Sequence, residues 1–179
     1  MSISKTGGAD GYYILGKSTL SASQMTRTSN ASTDTTETTI ATVTIPGGLC
    51  TTNSIIRVWS FWGFTNTGST GVSKLLNPRI GPVGNLAASS SIGQSTQTTN
   101  ITSVLTNMIV FDNSISVQNL PNFTAGALGG AASSNAVLTR NAFDFQTPKD
   151  LTFNCSWGAQ NTTQTQTITL YGFLVELFQ

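Results

Sequence analysis

Histidine is absent from this 179-residue chain. It is the side chain that most often moves protons near neutral pH, and Ser–His and Cys–His nucleophile pairs both need it. With two cysteines and no Cys-x-x-Cys motif, a zinc site has almost no ligands. The sequence also contains neither a phosphate-binding glycine loop nor the clustered acids of a calcium loop. We therefore expect no metal site and no cofactor.

Carboxylates are scarce as well, and a glycosidase needs two of them at a defined separation. The acids are Asp10, Asp34, Glu37, Asp112, Asp144, Asp150 and Glu176. Asp112 and Asp150 stand in turn-like contexts, where an aspartate usually caps its own backbone. Asp144 alternates with Phe143 and Phe145, which is typical of an outward strand residue. We expect no catalytic residues and a protein that is not an enzyme.

Charge of either sign is low. Charged residues make up 8% of the chain, against roughly 25% in an ordinary soluble domain. The net charge is +1, so the basic excess of nucleic-acid binders is missing, as is a basic stretch suited to a membrane surface. Thr, Ser, Asn and Gln together supply roughly 40% of residues. Such a surface favours association, although a Thr-rich β protein with an uncharged face is an equal alternative.

Long apolar runs are missing too. No signal-peptide core follows Lys5, and no stretch approaches the length that crosses a membrane. We therefore expect synthesis in a cytoplasm without export by the usual route. Cys50 and Cys155 are then expected to be buried thiols that behave as small hydrophobic residues, while a disulfide between them stays open.

Hydrophobic residues recur with period two, which indicates strands. Thr38–Ile45 predicts a half-buried strand that ends at the turn signal Pro46-Gly47-Gly48. Ser54–Phe64 predicts a strand buried on both faces. Its two sides are Ile56, Val58, Ser60, Trp62 and Phe64, and Ile55, Arg57, Trp59 and Phe61. Of its four large aromatic residues, two are expected in the core and two against a partner or second layer.

Further strands are predicted along the chain. They are Val72–Ile80 with Pro78 marking an edge or bulge, Ser114–Leu120, Ala136–Phe145, Asp150–Trp157 and a terminal strand Thr167–Phe178. The terminal strand is so apolar that we expect it in the middle of a sheet or against a partner. Ile101–Phe111 fits a short helix, with a strand over Thr106–Phe111 as the alternative. The pattern predicts an all-β fold: a single β-sandwich or jelly roll of about eight antiparallel strands over residues 38–179.

Residues 1–37 differ from the rest, because they are rich in Gly, Ser and Thr around one small apolar island. Such a segment buries too little surface to fold alone, so we expect an extended N-terminal arm. The arm packs either on its own sheet or on another subunit. The expected partner-binding residues are Tyr12, Tyr13, Ile14 and Leu15 in the arm, with Trp59 and Phe61 in the domain.

Two segments resemble small virion proteins of tailed bacteriophages. They are TTETTIATVTIPGGLCTTNSIIRVWSFWGF, which covers Thr35–Phe64, and DLTFNCSWGAQNTTQTQTITLYGFLVEL, which covers Asp150–Leu177. The shared features are a Thr-rich strand ending in IPGG, an apolar strand with R-V-W, and a terminal strand of the form LxGxxVEL. The segment Val72–Asn141 contains no motif that extends the resemblance.

The resemblance implies a β-sandwich or jelly roll, often trimeric, that serves as a capsid decoration (cement) protein or a tail-fibre tip. It supplies no catalytic residues. We expect a homotrimer on the outer capsid surface of the virion, made in the host cytoplasm, that binds and stabilises the shell of major capsid protein. The alternative is a tail-fibre receptor-binding module that attaches to a host surface glycan. Neither function involves nucleic acid or a membrane.

Overall fold

Nearly every described residue of the protein belongs to a β-strand or to a short turn between strands. The computed structural model describes residues 4–5, 11–27, 36–51, 54–66, 74–97, 103–114, 117–121, 138–141, 143–158 and 166–179. The strands are β1 (Ser4–Lys5), β2 (Tyr12–Arg27), β3 (Thr38–Ile45), β4 (Ile55–Asn66), β5 (Lys74–Leu76), β6 (Arg79–Pro82), β7 (Ser90–Ser91), β8 (Ser95–Gln97), β9 (Ser103–Ser114), β10 (Val117–Pro121), β11 (Leu138–Asn141), β12 (Lys149–Trp157) and β13 (Gln166–Phe178). Within this part of the chain, the helical structure is a 3₁₀ turn over Leu86–Ala88.

The strands form two antiparallel sheets. The first, here called the long sheet, has the order β1-β2-β13-β4-β9-β10-β11. The second, the short sheet, is built around β12, with β3 on one side and β5 and β6 on the other. β7 and β8 then extend the short sheet beyond β6 and β5. Strands of five or more residues number seven in the described part, close to the eight expected.

β5 and β6 are two halves of one strand interrupted by a proline. Both halves pair with β12 in a single register, since Leu76 lies opposite Cys155 and Arg79 lies opposite Thr152. Pro78 stands between the halves and has no N–H to give to the ladder. The backbone N–H of Asn77 still donates to the carbonyl of Asn154 over 2.9 Å. The predicted interruption of this strand by Pro78 is therefore confirmed.

The hydrophobic core lies between the two sheets. On β4, Ile56, Val58, Trp62 and Phe64 are buried in the core. The Phe153 ring of β12 stacks on the Phe173 ring of β13 with centroids 4.7 Å apart, which joins the short sheet to the long one. The fold is thus an antiparallel β-sandwich, and the predicted fold class is confirmed.

β13 is an interior strand of the long sheet, between β2 and β4, in agreement with the prediction from its apolar sequence. Its register against β4 shifts between Leu170 and Gly172, so Tyr171 is the extra residue of a β-bulge. The bulge changes which residues of the strand face the core. The buried core residues are Ile168 and Leu170 before it, and Val175 and Leu177 after it.

Two predicted elements and the predicted position of Asp144 are corrected. The expected helix over Ile101–Phe111 is wrong, because β9 runs from Ser103 to Ser114 and pairs with β4; the strand alternative was right in kind. Long-range pairing outweighs the local spacing that suggested a helix. Of the strand expected over Ala136–Phe145, β11 covers Leu138–Asn141, and the described residues 143–145 lie outside any strand. Asp144 lies exposed in a turn, where its Oδ1 accepts from the N–H of Gln146 over 3.0 Å.

Much of the predicted N-terminal arm lies on the chain's own sheet. β2 covers Tyr12–Arg27 and pairs with β13 from Phe178 to Gln166, and β1 pairs with β2. This is the intramolecular alternative left open by the sequence. The division of the chain at residue 37 stays a prediction, since residues 28–35 lie outside the described part.

Both cysteines are thiols buried in the core. Cys155 lies on β12, and burial, with a smaller contribution from the negative charge of Glu37, raises its pKa to about 12. Such a thiol is a poor nucleophile near neutral pH, because the thiolate is the reactive form. The cysteines therefore behave as small hydrophobic residues, as predicted.

Candidate interaction surface

The outer face of the long sheet brings together aromatic residues from three adjacent strands. Outward positions of β13 pair with outward positions of β2 on one side and β4 on the other. Directly paired residues of antiparallel strands share a face. We call this surface the outer aromatic face; its residues are Tyr12, Ile14, Lys17, Ile55, Arg57, Trp59, Phe61, Tyr171, Leu174, Glu176 and Phe178.

A buried carboxylate lies at the centre of the outer aromatic face. Glu176 is only 5% exposed, although it points away from the core. Its Oε2 accepts from Arg57 Nε and its Oε1 from the Tyr12 hydroxyl, both over 2.7 Å. Burial raises the pKa of Glu176, but the hydrogen bonds from Arg57, Tyr12 and Trp59 and the charge of Arg57 outweigh it. The net pKa therefore lies below its usual value.

Aromatic rings surround the guanidinium that neutralises this carboxylate. The Cζ atom of Arg57 is 5.0 Å from the centre of the Phe178 ring and 5.7 Å from that of Trp59. Tyr12 packs against Phe178 with ring centroids 5.2 Å apart. Cation–π attraction and the ion pair together restrict the Arg57 side chain. The Arg57 side chain is still 36% exposed, so its positive charge is accessible to solvent between the rings of Trp59 and Phe178.

Next to this cluster lies an exposed aromatic pair. Phe61 is 40% exposed and Tyr171 is 36% exposed, and their ring centroids are 5.6 Å apart. The Tyr171 ring covers Gly63, where an added Cβ would collide with it. Exposed tyrosines and phenylalanines on a flat sheet are typical of protein interfaces, because they bury a large apolar area at little entropic cost.

The six residues predicted to bind a partner divide into two groups. Trp59 and Phe61 point away from the core, while Trp62 and Phe64 from the same strand lie inside it, as the alternation predicted. From β2, Tyr12 and Ile14 join the same outer aromatic face. These four residues, which are distant in sequence, share one surface.

The other two predicted residues lie on the inner side of β2. Tyr13 packs against the core, and Leu15 is a fully buried core residue of its own chain. Leu15 has no surface left for a partner in this fold. The β2–β13 register shifts between Val175 and Glu176, so Leu15 is an extra residue that turns inward.

Sequence reasoning missed seven members of the surface, among them Arg57, Tyr171, Glu176 and Phe178. A signal existed for Arg57, which belongs to the outward series of β4 together with Trp59. Glu176 is the single charge of the terminal strand, and a central strand rarely buries a charge without a partner. No local signal existed for Tyr171, because the bulge that exposes it depends on the pairing of β13 with β4.

A cavity lies on the outside of the short sheet, away from the outer aromatic face. It has a volume of about 170 Å³ and is lined by Thr39, Thr42, Pro82, Gly84, Asn85, Leu86, Ser89, Asp150 and Thr152. The Asp150 carboxylate accepts from the Thr44 hydroxyl over 2.8 Å and from the N–H of Gly84 over 2.9 Å. Asp150 therefore caps a distant turn and not its own backbone, which corrects the prediction. The cavity wall combines hydroxyl groups with one carboxylate.

Among the described residues, Asp150 is the one acid that lines this cavity. Glu37 forms an ion pair with Arg79 at 2.7 Å. Asp112 lies in β9, and its side chain is outside the described residues. Among the residues that the structure describes, no three acids, histidines or cysteines are close enough to hold a metal ion.

The described helical structure contains no helix of the length and hydrophobicity that would cross a membrane.

No protein-family model matches this chain, and no curated protein matches it. The resemblance to tailed-phage virion proteins rests on the sequence motifs of Thr35–Phe64 and Asp150–Leu177 and stays a prediction.

Proposed function

We propose that this chain is a non-enzymatic structural protein that binds other protein surfaces through its outer aromatic face. The observation that carries the proposal is the exposure of Phe61 and Tyr171 beside the Arg57–Glu176 cluster. Burying a large apolar side chain contributes about 1.5–3 kcal/mol, so a partner covering this face gains substantially. The outward position of Trp59 and Phe61 on a strand whose other side is core supports the same function.

The surface also suggests the chemistry of the partner. Arg57 neutralises Glu176 through Nε, while its side chain remains partly exposed between two rings. Lys17, on the same face, is exposed as well. The face therefore has an excess of positive charge, and it fits a partner with apolar side chains around an acidic group.

More specifically, the proposed partner is the outer shell of a bacteriophage capsid. The chain would be a decoration (cement) protein that assembles as a homotrimer and stabilises the major capsid protein. The virion-like motifs support this form, and so does the low surface charge, which favours association. A trimer that contacts several shell subunits at once would bind the capsid tightly even if the affinity of each single contact is modest.

A binding experiment tests the proposal. The purified chain is first sized by sedimentation velocity, where a trimer has three times the chain mass of 18.8 kDa. It is then mixed with empty capsids of the phage that encodes it and pelleted. Phe61→Ser should weaken co-pelleting at least about tenfold, as expected for an aromatic hot spot. Val83→Ser is the matched control, because Val83 is an exposed hydrophobic residue outside the outer aromatic face.

Three results would count against the proposal. Equal loss of binding for Phe61→Ser and Val83→Ser would mean that the outer aromatic face has no special role. Full binding by Phe61→Ser would mean the same. A trimer that ignores capsids but binds host cells would replace the capsid form with the tail-fibre form. Circular dichroism of both variants verifies that they remain folded.

The tail-fibre function is the second candidate, and the threonine-lined cavity of the short sheet favours it. Hydroxyl and carboxylate groups around a space of about 170 Å³ suit a sugar ring of a host surface glycan. Thr42→Val removes one exposed hydroxyl while keeping the side-chain shape. If the chain binds cells through this cavity, Thr42→Val should reduce cell binding several-fold and Phe61→Ser should leave it unchanged.

A further inference from the structure

Three polar side chains are fully buried at one end of the sandwich. Lys74 is the first residue of β5, Trp157 is the last residue of β12 and Gln166 is the first residue of β13. Each of these residues is 0% exposed. Lys74 Nζ, Trp157 Nε1 and both polar atoms of Gln166 have no hydrogen-bond partner among the described residues. Buried polar groups in proteins nearly always have partners, so a group of such atoms in one region calls for a common explanation.

The strand pairings bring these residues close together. Lys74 and Trp157 are direct cross-strand partners, and both side chains point into the sandwich. Lys74 Nζ reaches the long sheet, where it lies 5.8 Å from the centre of the Phe64 ring. Phe64 pairs with Ile168, which is two residues from Gln166 and therefore on the same face of β13. The ammonium is thus next to the end of β12, where Trp157 lies, and it reaches the part of the long sheet where β13 begins with Gln166.

The burial of Lys74 is energetically unfavourable. An ammonium group loses its hydration inside the sandwich, and the Phe64 ring replaces only part of it. This desolvation lowers the pKa of Lys74. The indole N–H of Trp157 and the amide of Gln166 lose water in the same way. A ligand that accepts hydrogen bonds and carries negative charge would compensate all three groups at once.

The available hydrogen-bonding groups define the ligand. Lys74 offers three N–H donors, Trp157 one and Gln166 two, against a single acceptor, Gln166 Oε1. Together these three side chains carry one positive charge, no carboxylate and mostly donors, so they complement an anion. We propose that this end of the sandwich binds a small anion from solution, of the size of chloride or formate, held by the Lys74 ammonium and the N–H groups of Trp157 and Gln166. The site is separate from the outer aromatic face and from the cavity of the short sheet.

Thermal unfolding of the full chain tests the site with defined anions. Sodium gluconate, whose anion is too large for such a site, is replaced stepwise by sodium chloride or sodium formate at constant ionic strength. The unfolding midpoint should rise and follow the logarithm of anion concentration once the site is saturated, because a ligand stabilises the state that binds it. Lys74→Met keeps the length of the side chain and removes its charge, so it should abolish the rise.

Controls separate a bound anion from general salt effects. Lys149→Met removes a lysine whose ammonium bonds Thr147 at the surface, and it should leave the rise unchanged. Gln166→Leu removes two of the unpartnered atoms and should shift the onset of the rise to a several-fold higher anion concentration. It provides the test if Lys74→Met does not fold. An equal rise in wild type, Lys74→Met and Gln166→Leu would overturn the proposal, and so would no rise in the wild type.

Discussion

Replacing Glu176 by glutamine probes the centre of the outer aromatic face with almost no change in shape. The carboxylate is 5% exposed and accepts hydrogen bonds from Arg57 and Tyr12, each over 2.7 Å. A hydrogen bond to a charged group contributes about 1.5–3 kcal/mol. Glutamine keeps one acceptor oxygen, and a neutral amide is less costly to bury, which offsets part of the loss. We expect Glu176→Gln to lower the free energy of unfolding by about 2 kcal/mol at pH 7.

The same substitution has a predictable pH dependence. The pKa of Glu176 in the folded chain lies below its ordinary value, which is about 4.3 in an unfolded chain. The ionised carboxylate therefore stabilises the fold above that pH, and the stabilisation is lost as pH falls through the folded pKa. Glutamine does not titrate. The stability difference between wild type and Glu176→Gln should be largest near neutral pH and should shrink in acid.

Urea unfolding followed by tryptophan fluorescence measures this difference at pH values from 7 downward, with equal m-values as the check on two-state behaviour. Tyr12→Phe is the companion variant, because it removes one hydrogen bond and keeps the Glu176 charge. It should lose about half as much stability as Glu176→Gln at pH 7. A difference between wild type and Glu176→Gln that stays constant with pH would refute the reasoning, because the charge of Glu176 would then contribute nothing.

Two further predictions concern the core. Phe153→Ala removes the ring that stacks on Phe173 between the sheets and should cost about 3–5 kcal/mol in urea unfolding; a loss below about 1 kcal/mol would mean that the sheets do not pack there. Cys50 and Cys155 are buried, and the pKa of Cys155 is about 12, so both thiols should react with a colorimetric thiol reagent at pH 8 only after unfolding. Rapid reaction of the native chain would contradict their placement in the core.

Local rules in the sequence were enough to identify β3, β4 and the turn after β3. The two-residue period of β4 separates Trp62, in the core, from Trp59, on the outside, because alternate residues of any strand face opposite ways. The Pro46-Gly47-Gly48 turn depends on the conformational freedom of glycine, and Gly48 does adopt a φ of +73°. Pro78 interrupts its strand because it lacks an N–H.

Contacts between distant segments decided the rest. The residues of β9 form a strand because β4 pairs with them, although their spacing also fits a helix. The register of β13 against β4 makes Tyr171 a bulge residue, and the register of β2 against β13 turns Leu15 into the core. Partners such as Arg57 and Glu176 are 119 residues apart. Periodicity determines which face of a strand is apolar, whereas strand pairing determines which residues meet, since pairing depends on segments that are remote in sequence.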